Sequence, residues 1–344
     1  MFNYDKQIRA YQKEKVRISD AARKDLIDRR QTNRNRLVAS LGDTYTLDGD
    51  HFIPQGSVAL WTAIKAADMN YDIDDGVWFD ASELVESTKS GKRELEPIEL
   101  QRKVCEALQY GRFKQQPEVL HNCVRVYYDE GYHVDIPCFR RIDDGTTSGR
   151  QELAAKGNEW KLSDPTLIYN WFNGRVQALN GIRDDSGKQL RRLVRLLKRF
   201  AKSRGDEWEM PSGLKLTMLA EECLNTSFER DDEALHGLLK NMRVRLSSSL
   251  IVSNRAQQAP QDALTKSATD PSMLGLRLRV GEALDRLAIT EDPQCTKKGA
   301  REAWDWIFQT DGFFVDFDSD DDSGSIANVA PSKPFEKNTV SRHA

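Results

Sequence analysis

The chain has 344 residues, 31% of them charged and 39% hydrophobic, with 51 basic against 54 acidic side chains. That length predicts about two domains; the net charge of −3 argues against a strongly basic nucleic-acid coat, and no run of about 18 apolar residues offers a membrane span. The five cysteines form no C-x-x-C pair and the five histidines no HExxH, which speaks against a disulfide framework or zinc site and for a reducing, cytoplasmic setting.

The net charge conceals an asymmetry. From Asp311 to Ala344 seven acids stand against three bases, so this segment carries −4 and residues 1–310 carry +1. Beyond Asp316 the chain is acidic, then rich in Ser, Pro, Asn and Lys, with few large apolar residues; burial there cannot offset the ordering entropy, and disorder is expected. The opening stretch MFNYDKQIRAYQKEKVR has no apolar core of the secretory type.

The first predicted element is a helix capped by Ser19, in which Ala22, Leu26, Arg30, Asn33, Leu37 and Leu41 recur every third or fourth residue. Only part of that stripe is apolar, so the helix is expected to lie across other elements. Residues 56–66 read as a short helix and 71–79 as a strand. In YDIDDGVWF, Ile73, Val77 and Phe79 point one way and Asp72, Asp74 and Trp78 the other. Pro97 opens a helix with Ile98, Val104, Ala107 and Leu108 near one face. CVRVYYDEGYHVDIPCF predicts a β-hairpin, with Val124, Val126 and Tyr128 alternating, a turn at Asp129-Glu130-Gly131, and Tyr132, Val134 and Ile136 returning.

From Ser163, Asp164 and Pro165 onward the chain is predicted helical, with patterns over 187–203, 212–226, 231–246, 272–288 and 296–309 and a polar loop over 252–270. The predicted fold class is α+β. Residues 1–160 form a mixed domain with the N-terminal helix, 161–315 a helical lobe and 316–344 a tail, with a ligand cleft between the two lobes.

Three features carry chemistry. Gly56-Ser57 opens a helix, where backbone N–H groups and a hydroxyl suit a phosphate; in isolation this is an ordinary N-cap. Asp72 and Asp74 project from one face of a strand, and two converging carboxylates favour a hard cation such as Mg²⁺ between them; in isolation they are solvated edge acids. Asp135 takes the face opposite Val134 and Ile136, which an edge strand also explains. Two weaker patterns fail on detail. GIRDDSGKQ has five residues between its glycines where a P-loop has four, and DFDSDDDSG has Asp321 and Ala327 where a calcium loop needs Gly and Glu.

Together, QGSVALWT, YDIDDGVWF and HVDIPCF resemble the polymerase-β-like nucleotidyltransferases. More narrowly, they resemble the bacterial CD-NTases, relatives of cyclic GMP-AMP synthase (DncV-like enzymes) in the CBASS anti-phage signalling operons. EWKLSDPTLIYNWF and VRLLKRFAKSR followed by MPSGLKLTMLA extend the resemblance over residues 50–225. It implies a polymerase-β-like core with a helical C-terminal lobe. Asp72, Asp74 and Asp135 would bind two Mg²⁺ ions, which Mn²⁺ can replace. Gln55, Gly56 and Ser57 would hold the donor triphosphate, with Lys198 and Ser212 reaching the phosphates from the helical lobe. The 188–204 helix has eight bases and no acid; these read either as a solvated outer face or as a phosphate channel.

The resemblance implies a Mg²⁺-dependent enzyme that joins ATP and a second nucleoside triphosphate into a cyclic di- or trinucleotide, favouring a cyclic GMP-AMP-like product. That product would be a second messenger for a separate effector in phage defence. The alternatives are transfer to an RNA end, small molecule or protein, or a non-catalytic nucleotide-binding module. Neither a membrane nor a nucleic-acid partner is favoured. A further expectation is conjugation of the tail through Ala344 by a ubiquitin-like ligation enzyme.

Overall fold

The computed structural model describes residues 2–317, apart from 67–70, 90, 110–114, 130, 147–148, 156–157, 181–185, 206–207 and 259. The acidic tail with Ala344, most of the calcium-loop look-alike and the first five residues of the P-loop look-alike lie outside the described residues. Contacts divide the chain into two units. One is Arg17–Arg175, and the other joins Met1–Val16 to Val176–Ala344. The sequence places residues 1–16 with the first domain and the boundary after 160; contacts move that segment to the helical unit and set the boundary inside a helix, after Arg175.

Helix α1 (Asp5–Tyr11) continues as a π-turn over Gln12–Val16. Helix α2 (Asp20–Leu41) starts where expected, with the Ser19 hydroxyl accepting from the Ala22 N–H at 3.1 Å. Strand β1 (Phe52–Gln55) leads into α3, which spans only Gly56–Ala59. The predicted helix over 56–66 is therefore cut to one turn. Trp61 takes a left-handed φ of 60°, and the Thr62 and Ala63 N–H groups both fold back onto the Ser57 carbonyl at 2.8 and 3.1 Å. Strand β2 (Asp72–Asp80) follows, then the hairpin β3 (Val85–Thr88) and β4 (Gly91–Glu94), which sequence periodicity did not reveal.

Helix α4 (Pro97–Leu108) begins with Pro97 in its first turn and a reciprocal capping box of Glu96 and Glu99. After the short β5 (Glu118–Val119), the predicted hairpin forms from β6 (Val124–Tyr127) and β7 (His133–Ile136), with Gly131 at a φ of 100° in the turn. Strands β8 (Cys138–Ile142), β9 (Arg150–Ala155) and β10 (Glu159–Leu162) complete the unit before α5 (Leu167–Asn180).

The main sheet has the order β10-β9-β8-β2-β7-β6-β5, with β1 also paired to β2. β2 runs parallel to β7 through Asp72–Asp74 and parallel to β8 through Val77–Asp80. β1 lies antiparallel against β2 from Val77 back to Asp74. One sheet face carries Ile73, Val77, Phe79, Val124, Val126, Val134 and Ile136, all buried against Leu26 and Leu37 of α2 and Leu100, Val104 and Leu108 of α4. The polar residues between them fall on the opposite face, because strand side chains alternate.

In the helical unit, α6 (Ser186–Lys202), α7 (Gly213–Cys223), α8 (Asp231–Ser248), α9 (Pro271–Leu287) and α10 (Lys297–Phe308) match the predicted helices closely. The apolar face of α6, from Leu190 to Ala201, is fully buried. Its bases are not simply a solvated face. Arg192 makes a bidentate pair with buried Asp231 at 2.5 and 3.0 Å, Arg195 is itself buried, and Arg204 just past the helix donates to the Ile307 carbonyl at 2.8 Å.

The N-terminal segment belongs to this unit for specific reasons. The Tyr4 N–H donates to Asp232 at 2.9 Å, Asp5 accepts from the Asp231 N–H at 2.6 Å, and the Tyr11 ring packs 4.6 Å from Phe308 and 5.2 Å from Phe314.

Candidate active site

Register places the polar residues in two rows on the open face of the main sheet. In the first, Gln55 on β1 lies beside Asp74 on β2, Asp74 beside Asp135 on β7, and Asp135 beside Arg125 on β6. In the second, one pleat away, Asp72, His133 and Tyr127 are neighbours. The three aspartates singled out in the sequence therefore converge. Neighbours across strands and residues two apart along a strand share a face, so this follows from the pairing itself.

Each carboxylate has a distinct environment. Asp135 is gripped by the Arg125 guanidinium through two contacts of 2.7 Å. The His133 Nε2 pairs with Asp72 Oδ1, and that contact holds the Asp72 carboxyl below the usual carboxylate range. Asp74 has no ion-pair partner among the described residues; burial, reinforced by the charges of Asp72 and Asp135, pushes its carboxyl up to about 6. Oxygen and nitrogen atoms of Asp72, His133 and Asp135 all lie within 4.8 Å of one another. That donor set suits a divalent cation, which would also relieve the carboxylate repulsion that adds to burial at Asp74.

Gly56 has a geometric duty here. Its φ is +68°, and a Cβ added to it would fall 1.8 Å from the Asp74 Oδ2. Only a residue without a side chain lets the Gly-Ser turn close on that carboxylate. Ser57 follows in the single turn of α3, and its carbonyl accepts from the Thr62 and Ala63 N–H groups. The Gln55 amide nitrogen lies against Gly76, 2.3 Å from where a Cβ would stand.

Lys198 and Ser212 sit in the helical unit and are brought together there. The Lys198 ammonium lies 3.4 Å from the position a Cβ on Gly213 would take, and Ser212 is the N-cap of α7, accepting from the Lys215 N–H at 3.4 Å. Burial, with Arg195 nearby, lowers the Lys198 pKa to about 8. Sequence reasoning missed Arg125 and His133. The signal was available: His133 is two residues before Asp135 on one strand, and Arg125 is its cross-strand neighbour.

Four of the five cysteines are buried, and burial pushes the Cys123 and Cys223 thiols up to about 12, so neither is a nucleophile at neutral pH. Among the described residues no helix is long and apolar enough to cross a membrane.

Residues 50–139, which span both rows of the site, match the model of the cyclic GMP-AMP synthase DncV-like nucleotidyltransferase domain. This segment is similar to the DncV-like nucleotidyltransferases. Solved structures share the fold. A mutant of the Vibrio cholerae di-nucleotide cyclase DncV in complex with ATP, GTP and 5MTHFGLU2 is 15% identical, with a TM-score of 0.67 over 89% of this chain and 96% of that one. Vibrio cholerae DncV in complex with a linear pppApG intermediate is 16% identical, with a TM-score of 0.66 over 90% and 96%. The matched domain is of the nucleotidyltransferase class, and residues 50–139 include β1, the Gly56-Ser57 turn, β2 and β7.

Proposed function

We propose that this DncV-like nucleotidyltransferase makes a cyclic di- or trinucleotide from ATP and a second nucleoside triphosphate, with a cyclic GMP-AMP-like product favoured. The observation that carries the reading is the convergence of Asp72, Asp74 and Asp135 beside the Gly56-Ser57 turn. Asp72, Asp74 and Asp135 would hold two Mg²⁺ ions through their oxygens. When bound, the ions would lower the pKa of the attacking hydroxyl and neutralise the triphosphate and leaving pyrophosphate.

The chain's own residues do the rest. The Ser57 hydroxyl and the Gly56 backbone orient the donor triphosphate, with Gln55 beside them. A one-turn helix has little dipole, so the hydroxyl and the close backbone approach matter more than the helix end. Arg125 fixes the Asp135 carboxylate in the row. Lys198 and Ser212 would add a point charge and a hydroxyl to the phosphates. A first transfer gives a linear intermediate and a second closes the ring. The product would act on a separate effector in anti-phage signalling.

Purified protein with Mg²⁺ and labelled ATP, GTP, CTP and UTP tests this. A phosphatase-resistant product formed without RNA is the expected result; transfer only to added RNA, a small molecule or a protein overturns it. Asp72→Ala and Asp74→Ala should each abolish product while the fold, followed by circular dichroism, is retained.

A further inference from the structure

Asp75 is the one acid of the DIDDG run that points away from the site. It lies between Ile73 and Val77 on the core face of β2 and is only 3% exposed. There it meets α2: Arg34 donates to both its oxygens at 2.7 and 2.5 Å, and Arg30 stands 3.8 Å away. The Arg34 guanidinium also lies over the Phe52 ring of β1 at 5.1 Å. Further along the same helix face, Arg23 stacks on Trp61 at 3.5 Å and donates to the Val58 carbonyl at 3.3 Å. A single helix therefore grips the metal-site strand, the strand carrying Gln55 and the segment after the Gly-Ser turn.

A buried ion pair is a poor stabiliser, because desolvating two charges offsets most of their attraction; its best-attested use is to fix a register. Val77 and Phe79 anchor the C-terminal part of β2 in the core, but its N-terminal end has little apolar support. Over residues 72–75 the only apolar side chain is Ile73, and a one-residue slip would exchange the faces of every aspartate. On one edge β2 also changes partner at this point, while β1 stays paired from Asp74 to Val77. β2 pairs with β7 up to Asp74–Asp135 and with β8 only from Val77–Cys138, with Pro137, which has no N–H, between them.

We infer that Arg34 and Asp75 form a positioning pair: their ion pair locks β2 in the frame that presents Asp72 and Asp74, and not their odd-numbered neighbours, to the active site. The role rests on the nucleotidyltransferase reading, since it acts through the two carboxylates.

The test is the charge-free double variant Asp75→Leu with Arg34→Met, compared with wild type for melting temperature, kcat, KM for ATP and Mn²⁺ binding followed by electron paramagnetic resonance. A merely structural pair predicts that restored apolar packing restores function. The positioning role predicts an unchanged or higher melting temperature, kcat reduced at least tenfold, KM for ATP within twofold, and Mn²⁺ bound at least tenfold more weakly. Wild-type kcat and Mn²⁺ affinity in the double variant overturn the proposal. Should that variant not fold, Arg34→Lys keeps the charge but replaces the two-pronged contact with one; reduced kcat at wild-type melting temperature supports the role, and unchanged kcat overturns it. If the wild-type chain transfers no nucleotide, the functional reading fails, and the Mn²⁺ titration still decides whether the pair positions the carboxylates.

Discussion

Gly56 and Asp74 constrain each other through a close approach of backbone to carboxylate. Gly56→Ala would place a methyl group inside the Asp74 carboxylate and strain a left-handed backbone. Nucleotide incorporation is expected to fall at least ~100-fold, about 3 kcal/mol in barrier, with a smaller loss of melting temperature; labelled-ATP turnover beside thermal denaturation measures both. His236 gives a prediction about stability. It is buried on α8, with Lys240 beside it and Glu291 at 3.9 Å, and burial lowers its pKa to about 4. The unfolded chain takes up a proton near pH 6.5 that the folded chain refuses until about pH 4. Stability is therefore full above pH 6.5 and falls with pH through that window, by on the order of 3 kcal/mol. Urea denaturation between pH 7 and about 4 should show a shallower slope for His236→Gln.

At the scale of elements, caps and partners decide where helices begin. Asp270 caps α9 through the Ser272 and Met273 N–H groups, accepts from the Ser272 hydroxyl at 2.5 Å and pairs with Lys215 of α7 at 3.0 Å; together these hold its carboxyl far below the usual range. Asp270→Ala is expected to lose about 2 kcal/mol, combining a lost cap with a stranded partner, and to lower the denaturation midpoint accordingly. Helix α2 shows why its stripe looked irregular in the sequence. The non-apolar positions face inward: Arg30 and Arg34 meet Asp75, and buried Asn33 accepts from the Tyr128 hydroxyl at 3.0 Å. Hydrophobic periodicity reads a polar residue as outward, so a buried ion pair is invisible to it.

At the scale of the whole molecule, the division into units does not follow chain order. Met1–Val16 is held in the helical unit by buried Tyr4, Ile8, Tyr11 and Val16 and by the acids of α8. Removing these residues should expose Phe308 and Phe314 and leave Asp231 and Asp232 short of partners. Hydrogen exchange is expected to quicken in α8 and α10 while β2 and β7 keep their protection; equal loss in both units would count against the division.

Local periodicity alone determined the strand with its DxD pair, the following hairpin, the helices from α6 to α10 and the placement of three aspartates on polar faces. These depend on alternation and on caps, which are written in consecutive residues. Three-dimensional pairing decided the rest. The one-turn length of α3 depends on Trp61 turning left-handed, the partners of Asp72 and Asp135 come from another strand, and the N-terminal segment joins residues more than 200 positions away. Such contacts are set by register and by long-range burial, and neither leaves a period in the sequence.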